Sequence, residues 1–306
     1  MSGPALGVGF CLALSWGCGA DTVVTLGQAV PTPFFGDAGV VIAGVNADSA
    51  EEDPTLTEDM LEIYFTSNRP IPTDPNTGAG DVWRATRLSR TEPFGEPEPV
   101  HAANSAATET SPAISPDGLT LWVGSARLPS QGLIDVWQLT RPNRRAEWGI
   151  AINVIELNSP DEDLPRPLAQ RGTIMPLSSQ RGGTGDYQTY LAFRDAAEAS
   201  FYKVEEIPEL ALAGTSTMDG FLTEDGLFLF FKRAEIGGPG DLYMSWRRSR
   251  LESFSTPIAL DSVNTEADER DPWVNSDSTR FFFASNRRTR TSFDIYATRL
   301  GLPRFE

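Results

Sequence analysis

The stretch "ATETSPAISPDGLTLWVGSAR" spans residues 107–127, and a close copy, "ADERDPWVNSDSTRFFFASNR", spans 267–287. Each reads as a short strand, a tight turn and a second strand. In the first copy Asp117-Gly118 separates "SPAIS" from "LTLWVGSA". Asp-Gly between two apolar runs predicts a hairpin, because the turn needs positive φ. Similar turns recur as "TEDG" at 223–226 and "NSDS" at 275–278. A hairpin repeated at long intervals means a tandem array, so the period decides the fold.

The period is set by an Asp followed by an apolar residue and an aromatic. It occurs at Asp81-Val82-Trp83, Asp135-Val136-Trp137, Asp241-Leu242-Tyr243 and Asp294-Ile295-Tyr296, with a degenerate copy at Gly185-Asp186-Tyr187. Upstream of each Asp stands an arginine: Arg69, Arg127, Arg181, Arg233 and Arg287. A fourth strand follows most copies, with an aromatic, a Pro or small residue and an aliphatic at three-residue steps. Phe94-Pro97-Val100, Trp148-Ala151-Val154 and Phe254-Pro257-Leu260 match, and Asn104, Asn158 and Asn264 arrive four residues later.

Four antiparallel strands per unit, repeated in tandem, predict an all-β propeller with five blades. Six blades fit less well, because too little chain precedes residue 56. The last copy lacks its own fourth strand. Phe35-Ala38-Val41 with Asn46 supplies the missing pattern. Residues 33–46 are therefore expected to close the ring, which removes an exposed sheet edge. The expected layout is a signal over 1–20, a linker over 21–32, one propeller over 33–300 and a tail over 301–306.

The formal charge of −17 disfavours a phosphate backbone as partner, so nucleic acid is excluded. Lys203 and Lys232 are the only lysines. Arginine, a rigid fork suited to fixed carboxylates, carries the positive charge. His101 is the only histidine, and Cys11 and Cys18 are the only cysteines. Multi-histidine zinc sites are ruled out, and a cysteine nucleophile in the repeat region is too. His101 reads as a surface loop residue. Residues 5–16 are mostly apolar and are followed by Gly17-Cys18. That pattern predicts export to the periplasm or outer envelope, with Cys18 as a lipidation site and the lipid as the only membrane contact.

The "SP-DG … S-N/A-R … DVW" wording resembles the WD40-like repeat of bacterial envelope propellers, the kind found in the C-terminal domain of TolB. The resemblance covers essentially residues 46–300. It implies a propeller, often periplasmic. It does not imply one activity, because the repeat serves binding modules and propellers attached to peptidases alike.

Two columns of charge offer candidate sites. The first strands would line the channel, placing Glu51, Asp53, Glu109, Glu162, Asp219, Glu269 and Asp271 around one mouth. As a ring they could collect oxygens for Ca²⁺ or for a cationic partner group. The structural alternative pairs each Glu with the repeated Arg. The second column pairs Arg69 with Asp81, Arg127 with Asp135, Arg181 with Asp186, Arg233 with Asp241 and Arg287 with Asp294. It recurs five times and so reads as structural. The recurrent Trp83, Trp137, Tyr243 and Tyr296 read as packing between blades, whereas Trp122 and Trp273 are less regular and could line an interior site. Arginines after the third strands, among them Arg84, Arg87, Arg90, Arg141, Arg144 and Arg247, read as a solvated loop face or a docking face for anions.

No lone catalytic constellation appears. The sequence therefore points to a non-catalytic propeller that binds an envelope protein or a saccharide at the channel mouth. The alternative is a glycan-active enzyme using channel carboxylates, with Asp53, Glu109, Asp219 and Glu269 as candidates. No cofactor is expected beyond the Ca²⁺ alternative.

Overall fold

The structure is a computed structural model that describes residues 32–71, 80–303 and 305. The expectations for Cys11, Cys18 and the signal segment lie outside the described residues. The chain enters with β1 (Phe34–Phe35) and β2 (Val40–Val41). Blade 1 is β3 (Glu51–Leu56), β4 (Glu62–Ser67), β5 (Asp81–Thr86) and β6 (Glu98–Pro99). Blade 2 is β7 (Glu109–Ile114), β8 (Thr120–Ser125), β9 (Asp135–Thr140) and β10 (Ile152–Asn153). Blade 3 is β11 (Asp163–Pro165), β12 (Ile174–Ser179), β13 (Gln188–Phe193) and β14 (Lys203–Glu206). Blade 4 is β15 (Thr215–Leu222), β16 (Phe228–Glu235), β17 (Gly240–Trp246) and β18 (Ile258–Ala259). Blade 5 is β19 (Glu269–Val274), β20 (Arg280–Ser285) and β21 (Asp294–Gly301), completed by β1 and β2.

Each blade is an antiparallel meander, and the five make a closed propeller. The second strand of each blade packs on the first strand of the next: β4 on β7, β8 on β11, β12 on β15, β16 on β19 and β20 on β3. The last of these contacts shuts the ring. Closure is stitched by the leading segment, where Val40 pairs with Ala297 and Val41 with Tyr296. The Asn46 side chain accepts from Ile295 N at 2.7 Å and donates to Ile295 O at 2.9 Å. Asn104 does the same to Val82, Asn158 to Val136 and Asn264 to Leu242. The amide side chain thus stands in for one more residue of a fourth strand, which explains its fixed spacing.

The hairpin turns behave as their sequence demands. Gly118 and Gly226 take φ of +75° and +74°, and Ser278 takes +55° in the copy that lacks glycine. The core lies between blades. Its largest cluster joins blades 4, 5 and 1 through Phe230, Phe281, Phe283 and Phe65, all fully buried.

Candidate functional site: the central channel

The first-strand acids form two sets with opposite surroundings. Glu51, Glu109 and Glu269 are fully buried. Glu109 accepts from Ser105 N (2.8 Å), Ser125 Oγ (2.6 Å) and Arg127 Nη2 (3.1 Å). Glu51 repeats this with Ala47, Ser67 and Arg69, and Glu269 with Thr265, Ser285 and Arg287.

In blade 3 the position falls to Asp163, which pairs with Arg181 at 2.6 Å. The expected Glu162 instead accepts a hydrogen bond from Tyr187. The alignment slips because β11 is three residues long and pairs with β12 without a bulge.

These bonds correct the expected Arg–Asp pairs. Asp135 accepts from Gln131 N and Gly132 N and so caps its own loop. Asp294 pairs with Arg288 at 2.8 Å, not with Arg287. Arg181 goes to Asp163 rather than Asp186, and Arg69 to Glu51 rather than Asp81. Arg233 donates to Leu210 O and not to Asp241, even though the two are cross-strand neighbours. Thr217 stands where the other blades place an acid, so Arg233 has no carboxylate there.

The reason is geometric. Arg69, Arg127, Arg181 and Arg287 lie just beyond their second strands and Arg233 lies within β16, and each folds back over the third-strand aromatic. Its guanidinium carbon sits 5.1 Å from the ring centre of Trp83, 5.4 Å from Trp137, 5.4 Å from Tyr190, 4.9 Å from Tyr243 and 4.9 Å from Tyr296. Its Nη2 also binds the carbonyl of Val45, Ala103, Leu157, Leu210 or Val263. The recurrent aromatics are therefore cation–π partners. The fifth member is Tyr190, and Gln188 rather than Asp186 occupies its anchor position.

The second set faces the channel. Asp53, Ser111, Asp219 and Asp271 have φ of +55°, +51°, +60° and +56°. Each lies where the first-strand register slips, between Glu52 and Thr55, Thr110 and Ala113, Met218 and Phe221, and Arg270 and Trp273. A left-handed residue at a bulge re-aims its side chain, at a strain of roughly 1–2 kcal/mol each. The result brings one oxygen from each of Asp53, Asp219 and Asp271 within 4.8 Å of the others.

Arg166, flanked by Pro165 and Pro167, fills the space between them. Its Nη1 lies 2.6 Å from Asp53 Oδ1 and 3.6 Å from Asp219 Oδ1, and its Nη2 lies 3.2 Å from Asp271 Oδ1. All four side chains are more than nine-tenths buried. Three such oxygens could ligate a hard cation, but the guanidinium occupies the position that the ion would take.

Burial raises the Asp53 carboxyl, yet the charge of Arg166 and hydrogen bonds from Asp271, Arg166 and Thr66 outweigh it and hold the pKa at about 2. Asp271 is pushed well above the ordinary range by burial and by its neighbours Asp53 and Asp219, which Arg166 offsets only in part. The two carboxyls are thus pushed in opposite directions, Asp53 down and Asp271 up, and they titrate as a coupled pair. Asp53 also accepts from Ser111 N at 3.1 Å and Thr110 Oγ1 at 3.1 Å, which ties blade 1 to blade 2.

One mouth of the channel is ringed by charge. Arg270 bridges Glu52, at 2.9 Å, and Asp268, and Lys232 reaches Asp268 at 3.0 Å. Burial lifts the Glu52 carboxyl above its ordinary value against the pull of Arg270. A pocket of about 60 Å³ is lined by Leu56, Ile114, Phe221 and Trp273, with Glu58, Glu224 and Asn275 also on its wall. Trp273 therefore does line an interior space. Trp122 lies under Arg194, and His101 is exposed.

The arginines after the third strands are more ordered than a solvated face. Arg87, Arg141, Arg194 and Arg247 each donate Nε to a turn carbonyl, of Met60, Gly118, Gly172 and Gly226. Each also covers a fourth-strand ring, Phe94, Trp148, Phe201 or Phe254, at 4.4–4.9 Å. Arg84, Arg141 and Arg144 converge on Glu62, whose carboxyl burial raises and these arginines lower to a net depression.

No protein-family model matches the chain, and no curated protein does. Solved structures do. A family 117 glycoside hydrolase from Zobellia galactanivorans aligns with a TM-score of 0.52 at 14% identity, over 88% of this chain and 90% of that one. The endo-arabinase of Bacteroides thetaiotaomicron aligns with a TM-score of 0.52 at 11% identity, over 87% and 100%. A presumed TolB from Agrobacterium tumefaciens aligns with a TM-score of 0.50 at 12% identity, over 78% and 71%. These identities carry the fold alone: the chain is similar to propellers of several activities, and it is itself a five-bladed β-propeller.

Proposed function

We propose that this propeller is a non-catalytic binding module of the TolB-like, WD40-like type, with the charged channel mouth as its binding surface. The observation that carries the reading is Arg166. It ion-pairs with all three channel aspartates and leaves none of these three free to meet a substrate. Glycosidase carboxyls stand roughly 5–5.5 or 6.5–9.5 Å apart with the sugar between them. Here the oxygens lie within 4.8 Å around a guanidinium. A protein or saccharide of the cell envelope would instead meet Glu52, Asp268 and Arg270 at the rim. The test is capture from envelope extracts and glycan arrays by wild type and by Glu52→Lys. A ligand held by wild type and lost in the variant supports the mouth. Undiminished capture by the variant contradicts it.

A second reading, a glycan-active enzyme, draws on one observation. The pKa of Asp53 is pushed down and that of Asp271 up, which is how an acid and a base are set apart. Turnover of chromogenic glycosides or arabinan that disappears in Asp53→Asn would establish it and overturn the first reading.

The envelope location is part of the same proposal and rests on the apolar run over 5–16 followed by Gly17-Cys18. Labelled palmitate should enter the wild-type chain and not Cys18→Ala. An unlabelled wild-type chain would remove the anchor from the proposal.

A further inference from the structure

At the seam where the ring closes, a groove of about 470 Å³ runs between β2, β21 and the loop after β5. Val40 and Val41 line one side, at 65% and 37% exposure, and Phe94 lines another. Arg87, Arg90 and Arg280 line it too. On a chain of net charge −17, three arginines in one groove need an explanation.

None of the three forms an ion pair with a carboxylate among the described residues. Arg87 spends its Nε on Met60 O, and Arg90 donates to the carbonyls of Asp59 and Glu58. The exposed Arg280 side chain makes no hydrogen bond or ion pair among the described residues. The nearby acids Asp59 and Asp277 feel Arg87 and Arg90 only at a distance, and their hydrogen bonds go elsewhere. Asp59 pairs with Arg144 at 2.5 Å, and Asp277 is held in its own turn by Asn275 and Thr279. Burial, with Arg90 and Arg280 beside it, lowers the Arg87 pKa, and Asp59 offsets this only in part.

The seam between blades 3 and 4 provides an internal control. There Arg247, Leu251 and Phe254 stand where Arg87, Thr91 and Phe94 stand at the closing seam. That groove is lined by Glu205, Glu206, Glu209 and Glu252, and Arg250 is turned away onto Gln170 at 2.9 Å. The repeat supplies the apolar wall at both places. Only the closing seam adds Arg280 and omits the acids.

We propose that the closing-seam groove binds an amphiphilic anion: a carboxylate or phosphate head on Arg87, Arg90 and Arg280, with an acyl chain along Val40, Val41 and Ile42. The volume falls within the roughly 300–1,000 Å³ of ordinary ligand pockets. Guanidinium groups suit both head groups. The ligand would also touch β2 and blade 1 together, so binding would brace the ring closure.

The test is calorimetric titration of the full chain with laurate and with dodecanol. Vesicles of phosphatidylglycerol and of phosphatidylcholine form a second arm. Laurate should bind more tightly than dodecanol, and Arg280→Gln should weaken it about tenfold, the loss of one charge-assisted contact. Arg250→Gln, at the acidic seam, should leave binding unchanged. Arg280 is exposed and unpartnered, so its replacement should not move the melting temperature.

Capture of phosphatidylglycerol vesicles that depends on Arg280 assigns the head group to a bilayer lipid. Laurate binding without such capture assigns it to a free fatty acid. Equal affinity for laurate and dodecanol, equal binding by wild type and Arg280→Gln, or no binding in either arm overturns the proposal.

Discussion

Glu109 and Asp53 both sit near the start of a first strand, yet they live in different chemistries. Glu109 belongs to a set repeated around the wheel, with an arginine, a serine and a backbone amide supplied by its own blade. Asp53 belongs to a cluster that exists once and draws partners from blades 2, 3 and 5. The first set is a property of the repeat. The second is a property of the closed ring, because only closure brings Asp53, Asp219, Asp271 and Arg166 to one axis. Repetition marks what every blade needs for itself, and function is to be sought where the repeat is broken.

The contrast can be broken most severely at Arg166. Arg166→Ala leaves three buried acids without their cation and should cost about 3–5 kcal/mol at neutral pH by urea denaturation. The loss should shrink on acidification as the acids take up protons. A pH-independent deficit below about 1 kcal/mol would mean that the cluster is not held by charge.

Next comes the repeated set. Arg127→Ala should cost about 2–3 kcal/mol, because Glu109 stays buried with part of its hydrogen bonding. A double-mutant cycle should show coupling of about 1 kcal/mol or more with Glu109→Ala and almost none with Asp135→Ala. The reverse pattern would restore the Arg–Asp pairing.

The smallest effect sharpens the channel electrostatics. Asp271 has a raised folded pKa, so its contribution is full below the ordinary aspartate value and fades as pH rises through the raised one. Asp53, held at about 2, works the other way: its contribution is present above the ordinary value and is lost as pH falls toward 2. Asp271→Asn should therefore gain on wild type, by on the order of 1 kcal/mol, between pH 4 and neutrality. A constant difference across that range would place the proton elsewhere.

The wheel was legible because its cues are local. Asp117-Gly118 announces a turn, Asp135-Val136-Trp137 a third strand, and Asn46 the closing stitch. The pairings were not, because a linear pattern puts Arg127 near Asp135 in sequence and hides that its guanidinium folds back toward Glu109. Blade 3 misled for a second reason. Its first strand drops the bulge, so counting back from Pro165 lands on Glu162 rather than Asp163. Arg166 left one trace, a single positive charge at the position that Thr55, Ala113, Phe221 and Trp273 fill in the other blades. Its partners lie more than 50 residues away on either side, and no spacing rule reaches that far.

Arg166 acts as the built-in cation of the channel, and a calcium titration tests this. With the guanidinium among the three aspartates, the thermal midpoint of wild type should be the same in millimolar Ca²⁺ and in excess EDTA. A midpoint that rises with Ca²⁺ and falls with EDTA, and that no longer responds in Asp219→Asn, would show a metal where the arginine is placed.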